Sequence, residues 1–207
     1  MRDESADADL TRDELRDYGL HVLQERKGYR FSLDPLLLCE FCRMSPGMRV
    51  ADLGTGCGVI PLVLAKREET AAFAGVELQG RMAELAERNV ALNGLGDRVE
   101  IVHADILHLS SRFAAGSFDL VTANPPYRSP SSGKISPRAV RDAARHETTA
   151  GLAEFLDAAK RLVRTGGAIC MIYHVSRLTE LLCAAQQRKL APLRLRFVHG
   201  SSQAAAR

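Results

Sequence analysis

No stretch of this chain approaches the roughly 18 uninterrupted apolar residues that a helical membrane span needs. No basic-then-apolar leader opens it either: the first residues are acidic and polar, and a cytoplasmic protein is expected. Cysteines are few and odd in number, at 39, 42, 57, 170 and 183, which argues for reduced thiols rather than a disulfide framework. Cys39 and Cys42 form a C-x-x-C, but they sit inside the apolar stretch LDPLLLCEFC. No second such pair and no histidine pair follows at zinc spacing, so the expectation is two buried helix thiols and no metal. Internal repeats and long linkers are also missing, which leaves a single domain.

What is present is an ordinary globular balance: 207 residues, 46% of them apolar and 26% charged, enough for one full core and little more. The charge is unevenly placed. Residues 1–127 carry 14 Lys/Arg against 20 Asp/Glu, net −6, and residues 128–207 carry 14 against 5, net +9. A basic half on a chain of modest net charge suits an anionic partner docking on one side.

Residues 1–17 hold seven acids and few apolar groups and read as a flexible acidic arm, with a single domain over 18–207. Tyr18 to Phe31 reads as a hairpin turning at Glu25–Gly28, and Ser32 as the cap of a helix running to about Arg43, the two making an N-terminal unit over 18–47. From Met48 to about 199 strand and helix patterns alternate. Strands are expected at 49–53, 71–78, 98–105, 117–124, 166–175 and 190–198, the last interrupted by Pro192. Helices are expected at 59–67, 80–93, 151–163 and 177–187, and residues 200–207 form a tail. The fold class is α/β, a mostly parallel central sheet with helices on both faces, preceded by a short hairpin and helix.

Four strand ends carry the candidate chemistry. Asp52-Leu-Gly54-Thr55-Gly56-Cys-Gly58 lies between a strand and a helix, where glycines let the backbone turn sharply and approach a ligand. The spacing is G-x-G-x-G rather than the G-x-G-x-x-G of diphosphate binders, and the preceding acid suits a cationic ligand better than an anionic one. Glu77 ends the next strand, followed by Leu78; a carboxylate there can accept from both hydroxyls of a ribose. Asp105-Ile106 ends the third, where the acid by itself reads as the cap of a following helix or turn. Asn124-Pro125-Pro126-Tyr127 follows the fourth. The exocyclic nitrogen of a planar amine such as adenine shares its lone pair with the ring and is a poor nucleophile. An amide oxygen at Asn124 and the Pro125 carbonyl can hold its two hydrogens and direct the lone pair outward. The prolines fix backbone φ, and Tyr127 offers a face for an unpaired base to stack on. A proton leaves only after the nitrogen has been alkylated, so no catalytic base is assigned, and His103, His146, His174 and His199 are read as structural or surface groups. The segment from 128 to 147 then supplies Arg128, Lys134, Arg138, Arg141 and Arg145, a set suited to RNA phosphates.

The glycine spacing resembles motif I of the Rossmann-like methyltransferases, and Asn124–Tyr127 resembles the NPPY motif of those that modify planar amines. Adding GYRFSLDPLLL, GVEL, HADI, RHE and LRFVH, the chain resembles the bacterial tRNA (adenine-N6)-methyltransferases acting on valine tRNA. That resemblance implies S-adenosylmethionine as cofactor, held by Asp52, Gly54, Thr55, Gly56, Gly58, Glu77, Leu78, Asp105, Ile106 and Asn124. Phe31, Ser32 and Asp34 would close its pocket, and Asn124, Pro125, Pro126 and Tyr127 would hold the target amine. It further implies tRNA or another structured RNA as partner; the chain is expected to be a monomer or a dimer. Family members run on past the equivalent of His199 into another strand, where this chain reads GSSQAAAR, so the sheet is expected to lack that strand and expose an edge. A protein-glutamine or an rRNA guanine-amine methyltransferase is the alternative activity, and a cofactor-binding paralogue without catalysis is the alternative of a different class.

Overall fold

A computed structural model describes residues 9–27, 30–125 and 150–200. Two strands, β1 (Leu10–Leu15) and β2 (Leu20–Glu25), form an antiparallel hairpin, and α1 (Asp34–Phe41) follows. The core then runs β3 (Arg49–Leu53), α2 (Val59–Arg67), β4 (Ala72–Glu77), α3 (Gly80–Leu92), β5 (Val99–His103), β6 (Phe118–Ala123), α4 (Leu152–Leu162), β7 (Val163–Met171) and α5 (Leu178–Gln187). Five strands make one parallel sheet in the order β5-β4-β3-β6-β7. Chain order reverses between β3 and β6, which opens a crevice at the carboxyl ends of these strands.

Period-two alternation divides the core between the two faces of the sheet. Val50, Phe73, Val99 and Leu120 face a layer built from β2, α1, α2 and α3, and α2 is buried at every position from Val59 to Ala65. Ala51, Ala74, Val76 and Val121 face the opposite layer, where α4 contributes Phe155, Ala159 and Leu162. The small alanines on this side admit the bulky face of α4 at close range.

The hairpin joins the core through side-chain amides. Asn93 Oδ1 accepts from His21 N at 2.9 Å while Asn93 Nδ2 donates to His21 O at 2.7 Å. Asn89 does the same for Leu23, at 2.7 and 3.0 Å, and also donates to Cys57 O at 2.9 Å. Four residues of helix rise about 6 Å and two residues of strand about 6.6 Å, so both asparagines meet alternate peptides of β2.

Three expectations are corrected. The hairpin lies one strand earlier than expected: LTRDEL, placed in the acidic arm, is β1, and Gly19 at φ 59° makes the turn. Its acids are not isolated, because Asp13 accepts from both Gln24 and Arg30. The first helix ends at Phe41 rather than Arg43, and Ser32 Oγ accepts from Asp34 N just ahead of it. Residues 190–198 form no strand, and His199 alone makes a bridge. Pro192 has no N–H for a ladder, Leu193 is 89% exposed, and Arg194 and Arg196 lie over the Phe41 ring at 3.9 and 5.7 Å, so side chains hold this segment in place. Among the described residues no helix is long and apolar enough to cross a membrane, and no group of His, Cys, Asp and Glu is arranged to hold a metal.

Candidate cofactor and amine site

Asp52, Glu77, Asp105 and Asn124 stand at the carboxyl ends of β3, β4, β5 and β6, which are four consecutive strands of one sheet. Four segments spread over 73 positions of sequence therefore meet along a single edge.

The glycine turn is held from both sides. Gly54 N and Thr55 N both donate to Val76 O at 2.9 Å, and Gly58 N donates to Thr55 O at 3.0 Å. Gly54, Gly56 and Gly58 have φ of 69°, 58° and 85°, a region that L side chains rarely adopt. Space is short as well: a Cβ on Gly54 would lie 3.3 Å from Phe155 Cζ, and one on Gly58 3.3 Å from Ala86 Cβ. Glu77, buried at the end of β4, reaches across to this turn. Its Oε2 accepts from Gly56 N at 2.8 Å and its Oε1 from Gln79 N at 2.9 Å. Each oxygen keeps a second lone pair.

Asp52 is 1% exposed, and its Oδ1 accepts from Thr122 Oγ1 at 2.7 Å. Its Oδ2 and the Thr55 hydroxyl are both buried without a hydrogen-bond partner among the described residues. Burial pushes the Asp52 carboxyl up to about 7, opposed by the neighbouring Thr55 and Thr122 hydroxyls; Thr55 lies close enough to act but outside hydrogen-bonding geometry. An orphaned carboxylate oxygen under a tight glycine turn fits a ligand that brings a cationic donor.

Asp105 Oδ1 accepts from Leu107 N at 2.9 Å, capping a 3-10 turn over Ile106–Ser111, and Oδ2 lies 3.5 Å from His108 Nδ1. The capping role considered for this acid is thus present, and Ile106 beside it is buried. Leu78 is 38% exposed and Leu107 48%, so apolar side chains stand open next to both acids. Asn124 is half-buried and Pro125 buried. Pro126, Tyr127, Arg128, Lys134, Arg138, Arg141 and Arg145 lie outside the described residues. Of the residues expected to close the pocket, Phe31 packs on the core, with its N–H donated to Gln24 Oε1 at 2.9 Å. Cys39, Cys42, Cys57 and Cys170 are buried free thiols; its hydrogen bond with Cys170 and burial push Cys42 far above its ordinary range. Thr122 was invisible to motif reasoning. Its signal is a lone hydroxyl in an apolar strand, and its meaning depends on the register of β6 against β3.

Residues 44–200 match a protein family described as "Methyltransferase domain". The tRNA1(Val) (adenine(37)-N6)-methyltransferase of Erwinia tasmaniensis is 34% identical over 168 residues, 81% of this chain and 67% of that protein. The protein of the same description from Porphyromonas gingivalis is 36% identical over 146 residues, 70% and 56% of the two chains. The chain thus spans between about half and two thirds of the length of these curated relatives. Among solved structures, a predicted O-methyltransferase, Atu636 of Agrobacterium tumefaciens, superposes with a TM-score of 0.64 at 22% identity, covering 84% of this chain and 76% of that one. TrmN of Thermus thermophilus does so with 0.57 at 24% identity, covering 86% and 50%. Both share the fold.

Proposed function

The chain belongs to the methyltransferase domain family and to the tRNA1(Val) (adenine(37)-N6)-methyltransferase family, and from that premise we propose that it methylates the exocyclic amine of an adenine in tRNA. S-adenosylmethionine, when bound, supplies a methyl group activated by its sulfonium. The observation that carries the reading is the alignment of three acids and Asn124 on four neighbouring strand ends, around a glycine turn with an unsatisfied buried carboxylate oxygen.

The chain's own residues divide the work. Asp52 offers its unpaired Oδ2 to the ligand's α-ammonium. Glu77 fixes the turn through Gly56 N and offers its remaining lone pairs to the ribose hydroxyls. Asp105 and Ile106, with Leu78 and Leu107, provide an acceptor and an apolar slot for a planar base. Asn124 and the Pro125 carbonyl accept the two hydrogens of the target amine, and Tyr127 stacks on its ring. The five cations between Arg128 and Arg145 bind the phosphates of the same RNA.

The test is incubation with radiolabelled S-adenosylmethionine and either tRNA from cells lacking the native modification or a glutamine-containing release-factor peptide. Label recovered in N6-methyladenosine is expected. Label in the peptide alone, or in guanosine, would reassign the substrate, and binding of the cofactor with no transfer to any acceptor would mark a non-catalytic paralogue.

A further inference from the structure

We propose that Thr122, two residues before Asn124 in β6, is a positioning residue for Asp52: its hydroxyl holds one carboxylate oxygen so that the other faces a cationic group of the ligand in ionised form. The proposal rests on the reading above, that this end of the sheet receives S-adenosylmethionine.

Asp52 and Thr122 are paired residues in the parallel ladder of β3 and β6, which places their side chains on the same face. Every other residue of β6 from Leu120 to Ala123 is apolar, and Thr122 is 0% exposed, so a valine would meet the packing demand alone. The hydroxyl has a single proton and two acceptors within reach, Asp52 Oδ1 at 2.7 Å and Ala51 O at 3.3 Å. The shorter contact, to a group that carries charge, takes the proton. With Oδ1 engaged, Oδ2 is buried without a hydrogen-bond partner among the described residues, which leaves it as the acceptor for a cationic donor.

The surroundings explain why such a donor matters. Glu77 from β4 faces Asp52 with like charge and opposes its ionisation. From α1 and the residue after it, Cys39 and Cys42 face it as thiols pushed well above their ordinary range, and so as neutral groups. The turn contributes the Thr55 hydroxyl. Burial pushes the carboxyl up, and the Thr122 bond is one of the opposing influences. Its loss would push the carboxyl further up, and a cationic ligand would then have to displace a proton before it could pair.

The experiment is calorimetric titration of S-adenosylhomocysteine, which carries the same α-ammonium, into wild type, Thr122→Val and Thr122→Ser between about pH 6 and 8.5. Wild-type affinity is expected to rise with pH through about 7 and then level, because the ionised carboxylate is the binding form. Thr122→Val should move that rise to higher pH, binding about tenfold more weakly at pH 7 and converging toward wild type at the alkaline end, while Thr122→Ser follows wild type. In the ligand-free proteins, the carboxyl carbon-13 resonance of Asp52 should titrate at higher pH in Thr122→Val. A Thr122→Val curve parallel to wild type, or an unmoved resonance, would show a packing role and overturn the proposal. Failure of wild type itself to bind at any pH would instead overturn the reading of the site, and the proposal with it.

Discussion

At Asn124 the demand that the proposed reaction places on one side chain is chemical. On the proposed reading, the conjugated amine becomes a usable nucleophile when two acceptors hold its hydrogens and free its lone pair from the ring; Asn124 lies directly past β6 and is followed by the buried Pro125, whose carbonyl would be the second acceptor. Asn124→Ala should therefore lower the methylation rate by at least about 100-fold, on the scale seen when a positioned polar group is removed from a reacting centre. Affinity for S-adenosylhomocysteine should change by only a few fold. Single-turnover rates and calorimetry on the same preparation separate the two, and equal losses in both would assign Asn124 to cofactor binding alone. The strand-end placement of Asp52, Glu77, Asp105 and Asn124 was legible in the sequence because acids and glycines at strand ends are poor choices for packing. Thr122 was not, since a threonine inside a strand is unremarkable until the neighbouring strand supplies Asp52 opposite it.

Elements obey the same distinction between local and distant causes. The boundaries of β3 and α2 coincide with the sequence expectation to the residue, because the glycine turn punctuates both. The start of β7 does not: the strand begins at Val163, before the two glycines, and the register against β6 shifts between Phe118 and Leu120 to accommodate them. Nor did β1, where Asp13 accepts from Arg30 and Gln24 outside the strand and Glu14 pairs with Arg16 just beyond its end. Residues 190–198 show the converse error, since alternating Leu and Arg look like a strand but a strand exists only with a neighbour to bond. Asn89 ties β2 to α3 and to the glycine turn. It is 0% exposed, and its removal would leave Leu23 N, Leu23 O and Cys57 O without their partner. Asn89→Ala should cost about 2–4 kcal/mol in urea denaturation. A loss below about 1 kcal/mol would mean that β2 is held by its apolar contacts.

For the whole molecule the governing fact is the separation of charge, net −6 over residues 1–127 and +9 over the remainder. The acidic stretch contains the three candidate carboxylates Asp52, Glu77 and Asp105, and the basic stretch opens at Arg128, so on the proposed reading a polyanion would pair with the latter. Arg138→Ala with Arg141→Ala should weaken tRNA binding and flatten its dependence on salt by between one and two in the slope of log K against log salt. Electrophoretic mobility titrations at three ionic strengths would measure this. An unchanged slope would mean that these two arginines touch no phosphate.

The asparagine pair on α3 has one more implication. A primary amide sets a donor beside an acceptor, as a peptide does, so Asn89 and Asn93 act as two rungs of a ladder whose second rail is a helix. The outer margin of β2 is thereby finished at positions 21 and 23 without recruiting another strand, and a neighbouring chain finds no vacant peptide groups there on which to begin a fibril.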